Sequence, residues 1–112
     1  MDLKIRTENA LLTLMVHAGN LGFRYLRDAI IFVVEDETMI DNMTKKLYPS
    51  VAAQNKTTAS GVEKAMRHAI ERAFVNCEKD RWLQYFPQAM KVPTNSEFIA
   101  VLAMRLQRDG DV

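Results

Sequence analysis

The side chains able to do covalent or metal chemistry are few and scattered. His17, His68 and Cys77 make up the whole histidine and cysteine complement, and their separation fits no zinc motif. No nucleophile stands beside a base at a recognisable spacing, and no glycine-rich phosphate loop occurs. The chain is therefore read as a non-enzyme with no metal, cofactor or small-molecule substrate. A different set can do specific work. Ser60, Glu63, Lys64, Arg67 and Glu71 recur at spacings of three and four, with His68 at their edge. At about 100° per residue they share one side of a helix. Lysine and arginine donate to guanine or phosphate, and glutamate accepts from a cytosine amino group. Such residues on the first two turns of an exposed helix suit a DNA major groove.

Presenting that face requires the opposite one to be buried. Val62, Ala65, Met66, Ala69, Ile70, Ala73 and Phe74 form one continuous apolar stripe at helical spacing. Ser60 and Glu63 have the spacing of a capping box that would start the helix. Upstream, Pro49 suits a first helical position, so a short helix is expected over Ser50–Gln54. It should stop at Asn55-Lys56, with Asn55 tolerating a left-handed backbone. A short helix, a tight turn and a longer helix make a helix-turn-helix, here over about residues 49–76. Small Ala52 allows close packing between its two helices, and Val62 would fill the angle.

The remaining elements are scaffold. Leu11, Leu12, Leu14, Met15 and Ala18 predict a helix over about Thr7–Ala18, halted by Gly19-Asn20. His17 near its end has a packing or dipole role. A second helix from Phe23 to Glu35 is apolar nearly all round between Ala29 and Val34, which makes it the central one. A third is expected over about Thr38–Leu47. After Pro93, Thr94 and Glu97 form another capping box, followed by a core stripe of Phe98, Ile99, Leu102 and Leu106. Met15, Met66 and Met104 fall at core spacings. Trp82, Tyr85 and Phe86 either close the core or form an exposed patch for a partner. The expected fold is an all-α, wing-free bundle of about six helices, a single domain over residues 1–112.

Composition fits a folded chain: 48% of the residues are hydrophobic and 26% charged. The longest apolar run, Ala29 to Val34, is far short of the roughly 20 residues of a membrane helix, and the amino terminus has no apolar signal region. A soluble cytoplasmic protein is expected. The formal net charge of +1 argues against indiscriminate binding to nucleic acid. It is, however, segregated. From Asp28 to Thr44 stand Asp28, Glu35, Asp36, Glu37 and Asp41 without a base. From Lys45 to Arg72, Lys45, Lys46, Lys56, Lys64, Arg67 and Arg72 outweigh Glu63 and Glu71 by +4 (six minus two). The basic segment coincides with the suspected DNA reader.

On these residues a family resemblance emerges. The strings TKKLYPSVAAQNKTTASGVEKAMRHAIERAF and KVPTNSEFIAVLA resemble the DNA-binding effector domain of stage-zero sporulation protein A, the sporulation response regulator of endospore-forming Firmicutes. GFRYLRDAI, from Gly22 to Ile30, is similar to its second helix. The similarity runs from about Leu11 to Leu106. It implies an all-helical regulator that reads short, AT-flanked boxes containing a cytosine-guanine step, two copies binding head to tail on tandem boxes.

The resemblance puts the recognition helix at Ser60–Asn76 and base reading at Glu63 and Lys64. By the resemblance Ser60, Arg67 and His68 fall near the DNA backbone or groove wall. From the residues themselves, Lys45, Lys46 and Lys56 are expected to anchor phosphates, Glu63, Lys64 and Arg67 to read the groove, and Thr57 and Thr58 to join the DNA-binding set. The segment from about Val75 to Met90 corresponds to a contact region for the RNA polymerase sigma subunit, which makes Lys79, Arg81 and Trp82 candidate partner contacts. The final helix sits near the partner copy. Lys64 and Gly61 stand where the family commonly has arginine, and lysine is a point charge without a bidentate fork. The family also carries a phosphorylatable receiver, and no alternating strand-helix pattern precedes Leu11. The alternative to a DNA-reading regulator is therefore a protein-interaction module, or a decoy for DNA sites, that keeps the fold without phosphorelay control.

Overall fold

A computed structural model describes residues 2–88 and 91–110, the last two by backbone alone. Six α-helices follow in order: α1 Leu3–Thr13, α2 Leu21–Glu35, α3 Tyr48–Gln54, α4 Ala59–Asn76, α5 Lys79–Tyr85 and α6 Asn95–Gly110. A 3-10 segment, Glu37–Asn42, and a π segment, Met43–Leu47, join α2 to α3. No strand occurs among the described residues, so the expected all-α bundle is what forms.

Helix α2 is the centre of it. Phe23, Tyr25, Leu26, Ala29, Ile30 and Val33 are all buried, and α1, α4 and α6 pack around them. Leu11, Leu26, Ile30, Leu47, Met66, Ile70, Phe98 and Leu102 are essentially inaccessible. Each such side chain stabilises the fold by about 1.5–3 kcal/mol relative to exposure. Helix α2 also meets α4 at unusually short range. A Cβ on Gly22 would stand 2.5 Å from the Ala65 carbonyl oxygen and 2.6 Å from the Ala69 Cβ, so only glycine admits this crossing.

Helix α1 differs from the periodicity reading at both ends. It begins at Leu3, where the Asp2 carboxylate accepts from the Lys4 amide at 3.0 Å. It stops at Thr13 rather than Ala18, because Met15 takes a left-handed φ of 67°. There the Met15 amide donates to the Leu12 carbonyl and the Val16 amide to that of Leu11, both at 3.0 Å. This is a Schellman closure, with buried Val16 folding back onto buried Leu11. Met15 is therefore a half-exposed turn residue, and Met104 is equally exposed; of the three methionines assigned to the core only Met66 is there. His17 lies beyond the helix, its Nδ1 accepting from the Gly19 amide at 3.1 Å.

The regular helix expected over Thr38–Leu47 is instead a tight turn followed by a wide one. Asp36 starts it by accepting from the Thr38 amide and hydroxyl, and Leu47 alone in the two segments is fully buried. Met39, Ile40 and Met43 pack against the core only in part, and one fully buried anchor does not impose a 3.6-residue period on the stretch. Farther on, Trp82 and Phe86 close the core. Trp82 meets Phe74 edge-on with centroids 5.4 Å apart, and Phe86 stacks on both Trp82 and Phe98 at 5.1 and 5.6 Å, these two being 6.2 Å apart. Tyr85 is half-buried, with the Arg105 guanidinium 4.1 Å above its ring. The Thr94–Glu97 capping box forms as expected: the Thr94 amide donates to the Glu97 carboxylate at 2.9 Å, and the Glu97 amide to Thr94 Oγ1 at 3.1 Å.

Candidate nucleic-acid interface

Helices α3 and α4 form the expected helix-turn-helix, with Ala52 and Val62 buried between them. The turn is built differently from the sequence reading. Lys56, not Asn55, takes the left-handed conformation, with φ 54° against −108°. The Thr57 amide donates to the Ala52 carbonyl at 3.0 Å and that of Lys56 to Ala53 at 3.5 Å, a second Schellman closure. Asn55 is occupied elsewhere. Its Nδ2 donates to the Val51 carbonyl and to the Asp28 carboxylate, both at 2.9 Å.

The start of α4 is also displaced. Thr58 is the cap: its backbone is extended and its Oγ1 accepts from the Gly61 amide at 3.0 Å. The Ser60–Glu63 box therefore does not form, and Ser60 is an exposed residue of the first turn. Gly61 has no side chain with which to return the bond.

Val62, Met66, Ala69, Ile70 and Ala73 face the core, leaving the other side of α4 open. Lys56, Thr57, Thr58, Ser60, Lys64, Arg67 and His68 are exposed and Glu63 is half-buried. Glu63 and Arg67 are not independent, since Arg67 Nη1 donates to Glu63 Oε1 at 2.6 Å across one helical turn. Beyond them His68, Glu71, Arg72, Val75 and Asn76 line an open groove along the same helix. Lys45 and Lys46 are exposed on the π segment. Lys46 lies close enough to Asp36 to add slightly to the lowering of its carboxyl pKa, which the Thr38 hydrogen bonds dominate. Of the partner-contact candidates, Lys79 is exposed and Arg81 half-buried. Trp82 is 3% exposed and belongs to the core, so it offers no contact surface. Ala89 and Met90, at the end of that segment, lie outside the described residues.

Three buried groups that position this surface escaped the sequence reading. The charge count groups Asp28 with the acids of its segment; it is 7% exposed and holds Asn55 in the turn. Arg27 secures it, donating from Nε to Asp28 at 3.1 Å and from Nη1 to Glu8 of α1 at 3.0 Å. Burial works against the Arg27 charge, but these two bonds together with the carboxylate charges of Asp28 and Glu8 outweigh it and raise its pKa. Gly22 brings α2 against α4. Asn95, 8% exposed at the start of α6, donates from Nδ2 to the Glu63 carbonyl at 3.1 Å and to the Tyr48 hydroxyl at 3.0 Å. A signal existed for Asp28, a lone acid next to an apolar run; Asn95 resembled only a helix start.

No cluster of three metal-ligating side chains occurs among the described residues. Burial pushes the Cys77 thiol above its ordinary pKa, which disfavours the reactive thiolate. No described helix is long and apolar enough to cross a membrane. Residues 7–106 match the family model of the sporulation initiation factor Spo0A C-terminal domain. With a six-helix fold, an exposed polar face on α4 and a match over nearly its whole length, the chain belongs to that family of sporulation-related, DNA-binding effector domains.

Proposed function

We propose that this domain is a sequence-specific transcriptional regulator that inserts the first turns of α4 into the major groove. The supporting observation is the two-sided character of α4: an apolar stripe in the core and Ser60, Glu63, Lys64, Arg67 and His68 opposite it. Glu63, Lys64 and Arg67 read base edges. Lys56, Thr57, Thr58, Ser60 and His68 contact the backbone or groove wall, and Lys45 and Lys46 anchor phosphates. The Glu63–Arg67 pair suits this role energetically. Exposed ion pairs contribute about 0–1 kcal/mol, whereas a good base contact discriminates by about 1–3 kcal/mol. Opening the pair on DNA therefore costs less than the contacts it releases can return. Head-to-tail pairing on tandem boxes and a sigma-subunit contact through Lys79 and Arg81 extend the same reading.

Fluorescence anisotropy with a duplex carrying two AT-flanked boxes with a cytosine-guanine step, against a scrambled duplex, tests it. The tandem duplex should bind more tightly at every salt concentration, and Lys56→Ala should reduce the log–log salt slope by roughly one. Equal binding to both duplexes at moderate salt would instead favour the interaction-module reading, to which Lys64 and Gly61 in place of arginine lend some weight.

A further inference from the structure

We propose that Asn95 is a positioning residue for base reading, setting where Glu63 stands in the groove and hence governing discrimination between boxes more than overall affinity. The inference rests on the reading of DNA by α4. Its origin is a juxtaposition of three elements on one buried amide. The Asn95 nitrogen carries two protons, and each has an acceptor: the main-chain oxygen of Glu63 and the hydroxyl of Tyr48. A carbonyl oxygen only accepts, so the nitrogen side of the amide must face α4. One side chain thus ties α6 to the first turn of α3 and to the main chain of a base-reading residue.

The anchor itself is rigid. Phe98, Ile99 and Leu102 of α6 are fully buried, and the capping box fixes the first turn. Farther along, Arg105 donates to the Gln84 carbonyl and Gln107 to that of Val34. The other ties on the helix-turn-helix act elsewhere: Asp28 holds the turn, and Gly22 sets the approach of α2 near Ala65. The Asn95 bond lands at Glu63, where it restrains both the axial position and the roll of α4.

Discrimination is the property most exposed to a loss of that restraint. Long, flexible lysines follow a phosphate through small displacements of the helix. A short glutamate accepting from a base edge does not, because hydrogen bonds weaken steeply with distance and angle. Asn95→Asp isolates the donor. Aspartate has the same shape and is favoured in a first helical turn, yet it presents only acceptors to the Glu63 carbonyl. Tyr48→Phe removes one of the two acceptors and leaves the bond to Glu63.

The experiment measures Kd for the tandem-box and scrambled duplexes with wild type, Asn95→Asp and Tyr48→Phe. Asn95→Asp should lower the ratio of the two affinities about tenfold while leaving the scrambled duplex within about twofold of wild type, and Tyr48→Phe should lower it about two- to threefold. A wild-type ratio in Asn95→Asp, or equal weakening on both duplexes, overturns the proposal. A wild type without box preference fails at the earlier step, the reading by α4 itself. Far-UV circular dichroism establishes folding; if Asn95→Asp does not fold, the decision passes to Tyr48→Phe, where an unchanged ratio overturns the proposal.

Discussion

At the residue scale, the recognition surface combines strain with charge. Lys56 occupies a left-handed position at which an L-residue costs about 1–2 kcal/mol, and glycine is the usual occupant. Lys56→Gly removes that strain but makes the unfolded chain more flexible, so its net gain should be no more than about 1 kcal/mol. It also removes the phosphate contact proposed for Lys56. We expect an equal or higher urea midpoint together with a salt slope lower by about one. A loss of both stability and slope would mean that the lysine side chain supports the fold. Glu63→Ala deletes the base acceptor and frees Arg67 from its 2.6 Å partner. Box preference should fall by roughly tenfold, the lower part of the range for a lost base contact, while binding to scrambled DNA strengthens. Uniform weakening across sequences would contradict a base-reading role.

At the element scale, α4 is held from several sides and each hold has its own signature. Gly22→Ala introduces a methyl 2.5 Å from the Ala65 oxygen. Forcing α2 and α4 apart should lower stability by about 1–3 kcal/mol in urea denaturation. At the turn, Asp28→Ala leaves Arg27 only Glu8 and takes a carboxylate from Asn55. A loss of about 1–3 kcal/mol is expected, with Asp28→Asn milder because its amide oxygen still accepts from Asn55. Helix α6 adds a pH-dependent component. Backbone and hydroxyl hydrogen bonds of Thr94 hold the Glu97 carboxyl below its ordinary value of 4.5. A depressed carboxylate pKa means stability that is fully present above 4.5 and lost as the pH falls through the lower, folded value. Thermal unfolding followed from neutral into that acid range should therefore fall less steeply in Glu97→Gln than in wild type.

Across the whole molecule, the near-zero net charge conceals polarity. Glu35, Asp36, Glu37 and Asp41 are exposed between α2 and the π segment, whereas Lys56, Lys64, Arg67 and Arg72 are exposed around α4. Such a molecule orients toward DNA without adhering to it along its entire surface. If Lys45, Lys46 and Lys56 each neutralise one phosphate, one copy should give a log–log salt slope of about −3. A slope near zero would remove the phosphate anchors from the description. The buried cluster of Trp82, Phe86, Phe98 and Phe74 shows how the same scale decides a residue's role. An aromatic triplet in a polar segment is equally compatible with a core or a docking patch, and the packing of Trp82 against Phe74 of α4 and Phe98 of α6 made it a core residue.

The sequence alone determined the helical class, the central place of α2, the buried and exposed sides of α4, the capping box of α6 and the charge segregation. All of these follow from neighbours within one or two turns, or from composition along a stretch of chain. Tertiary structure decided where α1 and α4 begin and end, which residue of the turn is left-handed, and what Asp28, Asn55 and Asn95 bind. Beyond the local bonds to Arg27 and Val51, the partners that tie those three polar groups across the fold lie 27, 32 and 47 positions away along the chain. Periodicity carries no information over such separations. A buried amide or carboxylate takes whichever distant group the packing of α2, α4 and α6 brings within about 3 Å, the range of a hydrogen bond.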